Sequence, residues 1–317
     1  MADQVIDSNN CSRVMEFILL GFQDIGRMNI ILFIVVLLFY LLCITGNSLI
    51  IVIVRVDRRL QTPMYFFLSN FSVIEMGHTS AFMPKLLVNL LSEEMTICFN
   101  CCMVQFFFYF LCGVTKFFIL TLMSIDRYLA ICQPLRYSTI MTPSLCIKLA
   151  LAAWFGGFSS IIFQFVRLVR LPFCSSNIID HFFCDIGPML RIAGGDTHLI
   201  ETLFFLLVVA LVLTSLFLTM VSYTFILSTV LHISSTTGRQ KAFSTCISHL
   251  IVVSILYGAV IFIYLRPTVT HASFSIIKVV AILNMMVSPV LNPFIYTIRN
   301  NEVKQALRKV LGRKRRH

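Results

Sequence analysis

The chain has 317 residues, of which 58% are hydrophobic and 12% charged, with 30 Phe and one Trp. Soluble domains run near 25% charged, and a soluble core of this length could not hide so much apolar surface. The composition excludes soluble enzymes, disulfide-rich secreted miniproteins and disordered chains, and leaves an integral membrane protein. A formal charge of +11 does not point to nucleic acid, because the basic residues flank apolar stretches and form no stripe on a folded surface.

A helix needs about 20 apolar residues to cross about 30 Å of hydrocarbon. Seven stretches qualify in chain order: 30–54, 64–87, 98–131, 145–165, 199–230, 242–265 and 274–298. The second carries Glu75 and the third Lys116, but apolar residues continue on both sides of each charge. The expected fold is an all-α membrane protein, a seven-transmembrane helix bundle. Residues 1–29 form an outer N-terminus, 30–298 the bundle and 299–317 an inner tail.

Charge placement sets the orientation. Arg55, Arg58 and Arg59 follow the first stretch, Arg136 and Lys148 stand at the entry to the fourth, and Arg239 and Lys241 at the entry to the sixth. The side that receives these and the basic tail holds 16 of the 25 Lys and Arg but 3 of the 14 acids, and the other side holds 8 and 10. That asymmetry places the N-terminus outside and the C-terminus inside, in a multi-pass protein of the plasma membrane. The start, Met1-Ala2-Asp3-Gln4, has no basic and apolar signal pattern, so the first stretch reads as an uncleaved anchor. Asn10-Cys11-Ser12 is a glycosylation sequon on the outer side, whereas Asn70-Phe71-Ser72 falls inside a span. The one long loop, Val166 to Thr197, is also outer and has no clear period of its own. In the tail, Val303, Leu307, Val310 and Leu311 repeat at helical spacing among Lys304, Arg308 and Lys309. This pattern predicts a short amphipathic helix on the anionic inner leaflet; a solvated basic tail is the alternative.

Asp126-Arg127-Tyr128-Leu129-Ala130-Ile131-Cys132 closes the third stretch, and Pro63-Met64-Tyr65-Phe66-Phe67-Leu68-Ser69-Asn70 opens the second. Lys241-Ala242-Phe243-Ser244-Thr245-Cys246-Ile247-Ser248-His249-Leu250 opens the sixth, Pro289-Val290-Leu291-Asn292-Pro293-Phe294-Ile295-Tyr296 lies in the seventh, and Gly46-Asn47 in the first. Taken in chain order these motifs, over about residues 16–312, closely resemble those of the olfactory (odorant) receptors, a branch of the rhodopsin-like G-protein-coupled receptors.

The chemistry of each motif stands beside that resemblance. Arg127 beside Asp126 can be held in an ion pair, and a breakable pair is a two-state element; a snorkelling anchor is the alternative. Pro293 in the seventh stretch frees a carbonyl and permits a kink. The resemblance implies that Asp126, Arg127 and Tyr128 form a latch released on activation. It also implies that Tyr223 and Tyr296, near Asn292 and Pro293, reorient to meet near Arg127. Members of the family usually carry acids at the positions of both Glu75 and Lys116. Here the charges are opposite, which predicts a direct ion pair across two helices in place of any sodium ion. Separate solvation of each charge is the alternative.

The resemblance matches Cys102 and Cys184 to a disulfide that pins the long loop over the bundle. The family's second bridge, from the Cys174 position, would end at Gly194 here and cannot form. Cys98 and Cys102 share a helix face while Cys101 turns away by about 100°, which suggests a Cys98–Cys174 bridge; two free thiols are the alternative. A metal site from His181 and Cys184 would compete with the disulfide for Cys184.

By family position the ligand cavity lies in the outer half of the bundle. It is expected to use Phe106, Tyr109, Phe110, Gly113 and Val114 on the third helix and Leu207 and Leu211 on the fifth. Tyr257, Val260, Ile261 and Tyr264 on the sixth and Met285 on the seventh complete the set, with Tyr257 as sensor beneath the ligand. This lining suits a small hydrophobic volatile, and no acid stands at Tyr109 to pair with an amine. The implied function is an odorant-activated receptor that opens its inner face to a stimulatory heterotrimeric G protein and raises cyclic AMP. An orphan receptor for a non-odorant small molecule is the alternative. A transporter would show internal repeats, which the sequence lacks. An enzyme would show a convergent catalytic set, but Ser248 and His249 are adjacent and point apart, so no catalytic residue, cofactor or metal is expected.

Overall fold

The computed structural model describes residues 14–21, 28–92, 94–174, 176–232, 236–264, 280–291, 295 and 303–305. In chain order the elements are β1 (Glu16–Leu19), α1 (Met28–Val56), a 3-10 turn at Arg58–Leu60, α2 (Pro63–Leu91), β2 (Thr96–Cys98), α3 (Phe99–Cys132) and α4 (Pro134–Ile140). They continue with α5 (Pro143–Val169), β3 (Ile178–Ile179), α6 (Ile186–Ile192), α7 (His198–Leu231) and α8 (Thr236–Tyr264). A further helical segment, α9, covers Val280–Leu291.

Local chemistry marks the helix ends. Proline opens α2, α4 and α5, where its missing N–H is one of the unsatisfied donors of a first turn. Thr142 caps α5 by accepting from the Leu145 N–H at 3.3 Å, and Asp57 caps the turn after α1 by accepting from the Arg59 N–H at 3.1 Å. Among the described residues four helices, α1, α3, α5 and α7, are long and apolar enough to cross a membrane. The helix α2 is as long as α1, at 29 residues, but carries Glu75, His78 and Lys85.

The helix α3 is the axis of the bundle, and its apolar stretch is mostly buried, whereas α1, α5 and α7 turn Leu, Ile and Phe outward. Leu38 and Leu41 on α1, Phe155 on α5 and Phe217 on α7 are all largely exposed, the pattern of helices that present one face to lipid. The helices α3 and α5 approach closely at Gly157. A methyl group there would land on Thr115 Oγ1 and come within 3.4 Å of the Leu111 carbonyl oxygen. Small residues at such a crossing let two backbones approach. Asn47 ties α1 to α9, donating from Nδ2 to the Pro289 carbonyl at 3.1 Å.

Three features differ from the sequence expectation. First, the chain is not purely α-helical. A three-stranded sheet in the order β2-β1-β3 covers one end of the bundle, with β1 antiparallel to β2 and parallel to β3. Phe17 and Leu19 of β1 are fully buried, because the strand alternates and sends every second side chain into the helix ends. Residues 16–19 are therefore part of the folded body, although they fall in the segment 1–29 that the sequence sets apart. Second, the long loop is structured, holding β3 and α6. Third, α2 and α5 run four residues past the ends of their apolar stretches and α8 starts six residues before its own, whereas α3 and α7 match theirs to within one residue.

Of the tail, Val303, Lys304 and Gln305 are helical. Val303 is buried against Ile50, Ile53, Val54, Leu60 and Tyr65, so the tail returns to pack on the bundle. Leu307, Arg308, Lys309, Val310 and Leu311 lie outside the described residues, as do Asn10, Asn292, Pro293 and Tyr296.

Candidate functional site

A cavity of about 80 Å3, counted as space open to water centres, lies beside the middle of α3. Tyr109, Phe110, Gly113, Val114, Lys116 and Phe117 line it from α3, at spacings that keep one helix face toward it. Phe204, Leu207, Val208, Leu211 and Val212 face it from α7; Leu256, Val260 and Ile263 from α8; His78 from α2 and Asn284 from α9. The walls are apolar, and the polar groups gather on the α2 side.

That polar side is built around a buried ion pair. Lys116 Nζ donates to Glu75 Oε2 at 2.9 Å, with both side chains almost completely buried. His78 sits one helical turn beyond Glu75 and stacks on Tyr109, with ring centroids 4.4 Å apart. Its Nδ1 and the Asn284 Oδ1 are buried with no hydrogen-bond partner among the described residues.

The long loop closes this end of the bundle. Cys184 is bonded to Cys102 at the start of α3, and the Cys184 N–H donates to Gln105 Oε1 at 2.9 Å. The bridge and the hydrogen bond hold Phe183 against Tyr109, with centroids 4.5 Å apart, so the long loop packs on a residue of the cavity wall. Asp185 caps α6 by accepting from the Ile186 N–H at 2.8 Å, and burial pushes its carboxyl up to about 6.

At the far end of α3 the groups meet differently from the sequence expectation. Asp126 Oδ1 accepts from Tyr137 Oη at 2.8 Å, a contact supplied by α4, and Arg127 is not within ion-pair distance of it. Adjacent helical residues point about 100° apart, which turns Arg127 toward α8. Tyr223 Oη and His249 Nδ1 lie 2.8 Å apart and join α7 to α8. Tyr128 packs against Phe225, with centroids 5.8 Å apart.

Comparison with known proteins gives the family. An olfactory receptor family model matches residues 36–314. The human protein named olfactory receptor 6X1 is 52% identical over 302 residues, covering 95% of this chain and 96% of its own length. Human olfactory receptor 6C70 is 46% identical over 301 residues (95% and 96%), and mouse olfactory receptor 6E1 48% over 299 residues (94% and 96%). The chain belongs to the olfactory receptor family. It is therefore a multi-pass membrane protein of the G-protein-coupled receptor class, and not an enzyme.

Of the ligand positions named from this receptor's sequence, Tyr109, Phe110, Gly113, Val114, Leu207, Leu211 and Val260 line the cavity. Phe106 is fully buried in the packing above it, against Phe110 at 4.6 Å between centroids. Ile261 is 40% exposed and faces outward, because Leu256, Val260 and Ile263 hold the inward face of α8. Met285 is buried in the core, while its neighbour Asn284 reaches the cavity. Tyr257 lies below the lining, edge-on to Phe117 at 5.3 Å, with its hydroxyl among Thr121, Ser215 and Thr219 but in full hydrogen-bond geometry with none. The side chain of Tyr264 lies outside the described residues.

The cysteines require a correction. Cys98 is bonded to Cys101, and Cys174 is itself in a disulfide, so no Cys98–Cys174 bridge forms. Cys98 is the cap residue of α3, outside the helix, and its Sγ accepts from the Cys101 N–H at 3.0 Å. Helical face arithmetic does not apply to a residue with extended backbone. No cluster able to hold a metal occurs among the described residues.

Sequence reasoning missed His78, Phe204 and Asn284 as parts of the lining, and Phe183 behind Tyr109. A signal for His78 was present, since it stands three residues from Glu75 on the same face of α2.

Proposed function

We propose that the chain is an odorant receptor that binds a small hydrophobic volatile in the cavity beside α3 and activates a stimulatory G protein, raising cyclic AMP. The N-terminus and the sheet face outward, and the Arg127 end faces the cytoplasm. The observation that carries this reading is a largely apolar cavity beside the middle of the central helix, with Arg127 near one end of that helix. A volatile buried there loses water contact over most of its surface, which supplies affinity without charge. Its effect on the receptor is limited to its difference in affinity for the two bundle arrangements. Leu256 and Val260 carry the contact into α8, Tyr257 lies directly beneath, and the Tyr223–His249 link opens as the inner ends part. Arg127, Asp126 and Tyr128 form the G-protein-facing surface, with Asn292, Pro293 and Tyr296 as the deformable partner segment. Cys102–Cys184 holds the long loop against α3, and Asn10 carries glycan.

The test is a cyclic AMP response to a panel of volatiles in cells, with Arg127→Ala at matched surface expression. Responses to some hydrophobic volatiles, lost in Arg127→Ala, are expected. Responses that survive the substitution would remove the G-protein coupling step assigned to Arg127.

A further inference from the structure

The cavity is not uniformly greasy, and its polar side has a definite chemistry. Lys116 is the charged residue on its wall, at the midpoint of α3. An ammonium has three N–H donors and no acceptor. One donor is given to Glu75, and no other partner of Lys116 occurs among the described residues. The wall therefore offers hydrogen-bond donors beside an otherwise apolar chamber.

Charge decides which ligand completes this wall. Glu75 and Lys116 together are neutral, and the acid lies behind the amine, away from the lining. A carboxylate ligand would bring a third, unbalanced charge out of water into this space. An ammonium ligand would meet Lys116 as a like charge. A hydrocarbon would cover the Lys116 donors and leave them unpaired, which forfeits water without replacement. A neutral acceptor avoids all three costs.

We propose that Lys116 is the specificity-determining residue of the ligand cavity and selects neutral carbonyl compounds, meaning aldehydes, ketones and esters, whose oxygen accepts from its ammonium. The inference rests on the reading of this cavity as the ligand site. The alkyl chain of the ligand lies along Val208, Leu211 and Val260. A water centre needs about 10–15 Å3, so the cavity holds roughly five to eight waters, equivalent to about six to nine heavy atoms of a medium-chain carbonyl compound.

The experiment measures thermal stabilisation of the purified full-length receptor by octanal, hexyl methyl ketone, methyl heptanoate, octanoate, octylamine and octane. Shorter and longer carbonyl homologues are included, and cyclic AMP is recorded in cells alongside. Lys116→Met takes the ammonium from the buried Glu75 carboxylate and can fail to fold, so the informative variant is Glu75→Gln with Lys116→Met, which removes the pair as a unit. One or more carbonyl compounds are expected to bind wild type roughly 10- to 100-fold more tightly than the matched hydrocarbon, acid or amine, and the double variant is expected to lose that margin. Equal binding of octane, preference for octanoate or octylamine, a carbonyl preference that survives in the double variant, or no carbonyl binding at any length would each overturn the proposal. Selective carbonyl binding with no cyclic AMP response would instead overturn the signalling reading and leave the ligand class standing.

Discussion

Removing either half of the Glu75–Lys116 pair is expected to give unequal losses, and the inequality follows from where the cavity lies. The two groups approach to 2.9 Å with side-chain exposures of 0% and 4%. At an effective dielectric of about 20 their attraction is about 6 kcal/mol, set against desolvation of both. Lys116→Met leaves the Glu75 carboxylate behind the cavity wall without its ammonium, a change of the kind that costs about 3–5 kcal/mol. Glu75→Gln leaves Lys116 facing the cavity, where water can solvate it, so about 1–2 kcal/mol is expected. The double variant leaves no unpaired charge and should lie within about 1 kcal/mol of wild type. Thermal unfolding of the purified receptor reads these differences, with Lys116→Met lowering the midpoint by about 10 °C at about 2–4 °C per kcal/mol. Additive losses in the double variant would refute direct pairing. A Glu75→Gln loss as large as that of Lys116→Met would refute the solvation of Lys116 through the cavity.

Gly157→Ala drives a methyl onto Thr115 Oγ1, so about 1–3 kcal/mol of stability and a matching share of surface expression should be lost, and adding Thr115→Ala should recover part of it; unchanged expression of Gly157→Ala would refute the close α3–α5 crossing. Asp185 is pushed from 3.8 up to about 6 in the folded loop, so the proton binds the folded state more tightly. Its contribution is full below about pH 4 and is lost as pH rises through about 6, about 3 kcal/mol in all. Asp185→Asn keeps the cap without the charge, so the protection factor against hydrogen exchange across α6, taken relative to the intrinsic rate at each pH, should rise at neutral pH and become nearly independent of pH; an unchanged pH profile of protection would refute this. Tyr223→Phe removes the link to His249, shifting the bundle toward its open arrangement by about 0.5–1.5 kcal/mol and raising basal cyclic AMP up to roughly tenfold; lowered basal signalling would contradict that role.

The sequence carried the parts of the fold whose signal is long and periodic. Apolar runs located α1, α3, α5 and α7, and the phase of α3 placed Tyr109, Phe110, Gly113 and Val114 on one wall, because a 3.6-residue period repeats over many turns and averages out local exceptions. Ile261 failed by one residue, which on a helix is 100° and turns a side chain from cavity to exterior. The strands were illegible for a different reason. Glu16–Leu19 is four residues long, and its partners lie about 80 and 160 positions away, so nothing local announces them. Asp126 shows the same limit at a switch. Its neighbour in sequence is Arg127, yet the hydrogen-bonding group that reaches it is Tyr137, brought back by the turn into α4. Cys98 pairs with Cys101 because it caps a helix it does not belong to, a distinction that spacing alone does not make.

The two ends of the receptor are connected by one face of α8. Val260 and Leu256 touch the cavity, and His249 meets Tyr223. Spacings of four, three and four residues through Val253 put all of these on a single side of the helix. From Val260 to His249 the rise is about 16 Å, the same as from Lys116 to Arg127 on α3. The cavity and the inner link therefore lie at matching depths on two helices that face each other. In the proposed reading, a ligand anchored to Lys116 by its polar end has its apolar end directed at α8, so the tail bears on the helix that carries the His249 link. A ligand without the polar group fills the same volume but has no fixed point from which to push. On this geometry the carbonyl contact governs efficacy as well as affinity, because it sets where the alkyl chain meets Leu256 and Val260.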